Sequence, residues 1–233
     1  MLNVIDLSKE FLMHIRGGKK IASFKDISFS LKRGEFLGLT GPSGIGKSSL
    51  LKCIYRTYIP TTGDIMYTSA FGNTVNLAMA DEHTVLSLRE SEIGYISQFL
   101  YVIPRVSAFD VIVGVLANKG FDKKVCGEKA GMLLRRVGIP EALWEMYPST
   151  FSGGEKQRLN IIHAIISKPR LLLLDEPTAS LDALTKREVI SLIEDLKNEG
   201  TAMIGVFHDH ETMKKLADKQ LNLEVDSFKE LFV

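Results

Sequence analysis

Eight residues constrain this chain more than any others: Gly41-Pro42-Ser43-Gly44-Ile45-Gly46-Lys47-Ser48, a G-x-x-x-x-G-K-[ST] run without a mismatch. The run follows a short apolar strand at residues 35–40 and opens a helical pattern over residues 48–55. Glycines at this spacing let successive backbone N–H groups converge on an anion, and the positive end of the following helix points at the same place. Lys47 adds a mobile cation for the β- and γ-phosphates of a nucleotide, and the Ser48 hydroxyl is suited to Mg2+. Strand, loop and helix in that order predict an α/β fold that binds a nucleoside triphosphate. Taken alone, the loop does not separate an ATPase from a GTPase or a small-molecule kinase.

A second element, Leu171-Leu172-Leu173-Leu174-Asp175-Glu176, is an apolar strand ending in two acids. A parallel strand buried on both faces accounts for the leucines. Two carboxylates at its end cost desolvation unless they meet a cation or water at the carboxyl edge of the sheet. Asp175 is then the Mg2+ partner, through water, and Glu176 the base that orients the attacking water.

The rest of the chain supports one α/β unit of 233 residues, with the 45% hydrophobic and 24% charged content of a chain that packs a core. Short strands are expected at residues 3–7 and 27–31, a small antiparallel piece at 59–77, and a helical block at about 99–166. Strand 171–174, helix 183–198, strand 202–207 and a final helix follow. In the 183–198 helix Val189, Leu192, Ile193 and Leu196 recur at helical spacing, a face for packing. Lys plus Arg (29) nearly cancels Asp plus Glu (28), so no global field collects nucleic acid, and a direct nucleic-acid partner is not expected. The start, MLNVIDLSKEF, lacks the layout of a secretory leader, and the apolar runs fall short of the ~20 residues of a membrane helix, so a cytoplasmic chain with no direct membrane insertion is expected. Cys53 and Cys126 form neither a disulfide framework nor a metal cluster.

A third element, Phe151-Ser152-Gly153-Gly154-Glu155-Lys156-Gln157-Arg158, places a serine and two glycines ahead of a helix, a second phosphate-binding device in one chain. A second device makes sense if it serves another chain's nucleotide. These residues resemble the signature of the ABC ATPases, and Gln98, the Ser180-Leu181-Asp182 turn and His208 follow in that family's order. The resemblance covers nearly the whole chain. It implies a P-loop NTPase fold with a RecA-like core, an antiparallel β subdomain and a helical subdomain in a single ABC ATP-binding domain. It also implies ATP and Mg2+ as ligands and a second ABC subunit, identical or paralogous, that completes the site. In that reading Gln98 senses Mg2+ and the attacking water, and His208 contacts the γ-phosphate. Ser152, Gly153, Gly154 and Glu155 close over the partner's nucleotide, and Asp182 belongs to the turn beside them. Phe11 stands where the family stacks an aromatic ring on adenine, and core packing explains a phenylalanine there equally well. Ser49, Glu155 and His163 depart from the usual Thr, Gln and Arg. No Asn-Lys-x-Asp guanine reader is visible, since Asn118-Lys119-Gly120-Phe121 lacks the acid, and ATP is preferred.

Only 25 residues follow His208, too few for a regulatory domain, and there is no room for a long coiled coil, which leaves a minimal ATPase subunit. Residues 95–108, 139–144 and 148–155 resemble the ABC subunits of the bacterial carbon–phosphorus lyase system. That likeness implies a role in phosphonate utilisation, partnership with other carbon–phosphorus lyase subunits, and ATP-driven dimerisation that remodels the complex. The alternative is the ATPase subunit of a lipoprotein-release or efflux-type exporter, with residues 99–116 docking on a permease. Phosphate transferred to an acceptor instead of water would mark a small-molecule kinase.

Overall fold

The computed structural model describes residues 1–13, 19–97 and 105–223; Gln98 lies outside them, as do residues 99–104 of the stretch 95–108. In chain order the strands are β1 (Leu2–Met13), β2 (Lys19–Leu31), β3 (Phe36–Thr40), β4 (Thr62–Thr68), β5 (Thr74–Asn76), β6 (Ile93–Ile96), β7 (Leu171–Asp175), β8 (Ala202–Val206) and β9 (Lys219–Asn222). The helices are α1 (Lys47–Ile54), α2 (Glu82–Ser91), α3 (Ala108–Ala117), α4 (Lys123–Arg136), α5 (Gly153–Ile165), α6 (Ala183–Asn198) and α7 (His210–Leu216), with 3-10 turns at Glu141–Leu143 and Pro148–Thr150.

One sheet runs β6-β7-β8-β3-β9 with every pair parallel; the other runs β2-β1-β4-β5 with every pair antiparallel. The parallel sheet explains the leucine run. Leu171 and Leu173 point into the core shared with α1 and the antiparallel sheet, whereas Leu172 and Leu174 point into the core shared with α5 and α6. All five residues of β7 are buried, and so are those of β8, because the strands are covered on both faces. Val189, Leu192, Ile193 and Leu196 of α6 are buried as their spacing predicts.

Register sets the site. Leu174 and Gly38 both pair with Gly205, and Asp175 pairs with Val206, so adjacent strands β7, β8 and β3 end at one edge. That carboxyl edge therefore presents the acids, the segment leading to His208 and the glycine loop side by side. A side chain is excluded at Gly205, whose Cβ would lie 2.8 Å from the Phe36 ring.

Residues 105–166 hold α3, α4, the two 3-10 turns and α5, packed through stacked Phe109 and Trp144 rings with centroids 5.5 Å apart. Sequence periodicity predicts only a final helix after the strand at 202–207. The structure has the short α7 and then β9, an edge strand parallel to β3 whose residues are mostly exposed. β1 and β2 also extend well beyond the predicted short strands.

A buried charge ties the two sheets together. Glu92, after α2, accepts from Tyr67 of β4 at 2.7 Å and from the Ala70 amide at 3.0 Å, with Arg170 Nε at 3.2 Å in an ion pair that lacks hydrogen-bond alignment. Removing the cation strands a carboxylate whose side chain is 8% exposed. Arg170→Leu is thus expected to lower stability by about 3 kcal/mol, read as a shift of the urea midpoint. A shift under about 0.5 kcal/mol would show that Tyr67 and the Ala70 amide suffice for Glu92.

Candidate nucleotide site

The glycine loop leaves β3 at Thr40 and turns through left-handed backbone at Gly41 (φ 128°), Gly44 (φ 81°) and Gly46 (φ 105°). At Gly46 a second constraint applies, because a Cβ would sit 2.3 Å from the Ser23 carbonyl oxygen of β2. Gly46 caps α1 with no side-chain hydrogen bond and no acid in the first turn. Among the described residues the other six α-helices each carry a capping Asp or Ser: Asp81, Ser107, Asp122, Ser152, Asp182 and Asp209. The amides that begin α1 are thereby left to a ligand, and the macrodipole favours an anion there. Lys47 Nζ folds back over the loop, donating to the Gly41 carbonyl at 2.7 Å and the Pro42 carbonyl at 2.8 Å. A cavity of about 320 Å3 opens here, lined among others by Gly41, Ser43, Lys47, Ser48, Ser49, Glu176 and His208.

Behind the cavity wall Ser48 Oγ donates to Asp175 Oδ1 at 2.7 Å, and the Tyr95 hydroxyl donates to Asp175 Oδ2 at 3.0 Å; Ser48 lines the cavity, whereas Asp175 and Tyr95 do not. Burial and then the neighbouring Asp175 charge push the Tyr95 phenol far above its ordinary value, so it stays a donor. Asp175 is 6% exposed. A serine hydroxyl and a carboxylate converging beside the loop are hard oxygen donors of the kind Mg2+ takes, so these residues fit a magnesium–nucleotide complex. Ser48 and Asp175 would hold the ion, and it would neutralise charge on the phosphates.

Glu176 follows in left-handed backbone (φ 54°), unusual for a residue with a side chain, and its amide donates to the Val206 carbonyl at 3.1 Å. That turn aims its carboxylate at His208, whose Nε2 lies 2.9 Å from Glu176 Oε1. The His208 side chain is 72% exposed and that of Glu176 is 21% exposed, so the pair stands where loop and solvent meet. Such a pair can orient a water and accept its proton.

The second device is built differently. Ser152 caps α5 in a reciprocal box: the Glu155 amide donates to Ser152 Oγ at 3.4 Å, and the Ser152 amide and hydroxyl both donate to Glu155 Oε2 at 2.8 Å. Those bonds from Ser152 hold the Glu155 carboxyl below its usual range. Gly153 is exposed with no atom within 4 Å of where a Cβ would be, an open helix start. Ser152, Gly153 and Gly154 do not line the cavity at Lys47. Gly154 instead lies against the Ser180 carbonyl, its Cβ position 3.5 Å away, next to the turn where Asp182 caps α6 by accepting from Leu184 and Thr185. Phe11 is not in the cavity lining either; its ring meets Tyr58 edge-on at 5.2 Å, with Lys9 Nζ 4.9 Å from its centroid.

Comparison with known proteins decides the family. A family model described as ABC transporter matches residues 24–179, more than half of the chain. The chain belongs to the ABC transporter family. The putative hemin import ATP-binding protein HrtA of Staphylococcus epidermidis is 34% identical over 227 residues, covering 95% of this chain and 96% of that protein. The lipoprotein-releasing system ATP-binding protein LolD of Shewanella denitrificans is 34% identical over 200 residues, covering 85% and 83%. Among solved structures, the ATP-binding cassette MJ0796, described as a dimer in a post-hydrolysis state bound to ADP and Pi, superposes with a TM-score of 0.85 at 25% identity, covering 96% of this chain and 94% of that one.

The fold is that of an ABC ATPase, its reaction is ATP hydrolysis, and its cofactor is Mg2+. Three contacts that position this site escape sequence reasoning. Tyr95 holds Asp175, Gln157 Nε2 of α5 donates to the Pro177 carbonyl just past Glu176 at 3.0 Å, and Asn160 Nδ2 of α5 donates to the Ser97 carbonyl at 2.8 Å. The two α5 contacts tie the signature helix to the segments that follow β7 and β6. Tyr95 and Asn160 carry no sequence signal beyond a polar group beside apolar residues, and Gln157 lies in the signature run without its partner being readable from it.

Proposed function

We propose that this chain is the ATP-hydrolysing half of a two-subunit nucleotide sandwich. One observation carries the reading: the cavity with Lys47, Ser48, Glu176 and His208 has no contribution from Ser152, Gly153 and Gly154, although that helix start is shaped for phosphate. A second subunit brings its own Ser152, Gly153 and Gly154 over the γ-phosphate bound at Lys47, with Mg2+ on Ser48, Asp175 and Gln98. Closure then positions water against Glu176 and His208, and Phe11 packs on the adenine. The described dimer of MJ0796 supports this arrangement. The test is turnover per chain against protein concentration: it is expected to fall on dilution and recover on concentration. Full speed in the dilute monomer would remove the sandwich.

The work driven by closure is best read as transport through a membrane permease, which the hemin-import and lipoprotein-release names of its relatives support. No helix among the described residues is long and apolar enough to cross a membrane. A second reading, the carbon–phosphorus lyase system, rests on the likeness at residues 95–108, 139–144 and 148–155. An ATP-dependent pull-down of the chain from its own cells, read by mass spectrometry, separates the two. Recovery of a permease supports transport, and recovery of phosphonate-degrading enzymes replaces it with the second reading.

A further inference from the structure

The Asp175 carboxylate is held from two sides, and only one of them is the glycine loop. Ser48 occupies Oδ1 at 2.7 Å and Tyr95 occupies Oδ2 at 3.0 Å. Tyr95 comes from β6, where it is registered against Leu173 of the neighbouring strand β7. Its ring is fixed in turn, stacking on Tyr55 with centroids 4.9 Å apart. Arg89 sits 4.3 Å from the Tyr55 centroid and donates to the Tyr55 carbonyl at 2.8 Å. Tyr55 closes α1, the helix that begins at Lys47 and Ser48. One short helix thus supplies the hydroxyl on Oδ1 at its start and, at its end, the ring that supports the donor on Oδ2.

We infer that Tyr95 is a positioning residue for the magnesium site: its hydroxyl fixes the rotation of the Asp175 carboxylate so that Oδ1 stays turned toward Ser48. The terminal torsion of an aspartate is broad, so a carboxylate with one donor can pivot about it. Donors on both oxygens define its plane. Mg2+ and Mn2+ favour near-octahedral oxygen geometry, so a pivoting carboxylate weakens their affinity without altering the phosphate cradle at Gly46 and Lys47. The inference rests on reading Ser48 and Asp175 as the metal-side pair. The competing account is that a buried hydroxyl takes the nearest acceptor and serves packing alone.

Tyr95→Phe removes the hydroxyl and keeps the stacked ring. The measurement is Mn2+ affinity of the dilute, ADP-loaded protein by electron paramagnetic resonance, with metal-free ADP affinity in chelator measured beside it. Mn2+ affinity is expected to fall about tenfold, the scale of one hydrogen bond to a charged group, with metal-free ADP affinity unchanged. Unchanged Mn2+ affinity overturns the inference, and so do equal losses with and without metal, which would mark a packing role. In an Asp175→Asn background the added Tyr95→Phe change is expected to cost nothing further; a full tenfold loss there overturns it as well. If Asp175→Asn alone leaves Mn2+ affinity intact, it is the metal-site reading that fails, a result distinct from the others.

Discussion

Glu176→Gln is expected to cut ATP turnover by about a hundredfold or more while ATP still binds, because one oriented group at the reacting water is worth that much. The substitution keeps size and shape. The left-handed backbone at φ 54° and the amide bond to Val206 do not depend on the carboxylate, so the side chain still emerges beside His208. In the proposed mechanism it loses the ability to take a proton from water held against the γ-phosphate. The closed state then has no exit through chemistry, and an ATP-bound dimer is expected to accumulate on gel filtration where the parent chain shows monomer. Binding stays because Lys47, Ser48 and the uncapped start of α1 are untouched. Turnover within threefold of the parent would take Glu176 out of the base role and turn attention to His208, 2.9 Å away.

The parts of this site that were legible in the sequence are those that demand unusual residue types. Gly46 is fixed by left-handed backbone and by the Ser23 carbonyl 2.3 Å from its Cβ position, and the acids Asp175, which ends β7, and Glu176, which follows it, stand out because nothing else in that strand is polar. Tyr95 was not legible, since in Ile93-Gly94-Tyr95-Ile96 a tyrosine reads as one more half-buried strand residue. Its significance comes from β6 lying beside β7, a long-range pairing that local pattern does not encode. α2 escaped for a different reason: only Val85 and Leu88 are buried, a stripe too narrow to register as amphipathic. β9 offers little pattern either, being a four-residue edge strand with one half-covered position. The lengths of β1 and β2 were hidden by bulges between Val4 and Glu10, where the register shifts and alternation breaks.

Two inactive versions of the chain are expected to restore one another. Lys47→Ala removes the cation from the phosphate loop; among the described residues the lysine's hydrogen bonds go to the Gly41 and Pro42 carbonyls of that same loop, so its loss does not threaten the fold. Gly153→Asp places a carboxylate at the start of α5, where no atom lies within 4 Å of the new Cβ, so the helix accommodates it. There it would face the γ-phosphate of a partner and repel it, whereas the same chain's own loop is untouched. Each variant alone has a lesion in both composite sites of a homodimer, and turnover is expected below about 1% of the parent. In a mixed dimer both lesions fall in one site and the other site is whole. Random pairing of equal amounts makes half the dimers mixed with one intact site each, so about a quarter of parental turnover is expected to return. No recovery on mixing, together with turnover per chain that holds steady on dilution, would mean that Lys47 and Ser152 of one molecule serve separate ends and that the nucleotide is hydrolysed without a second grip.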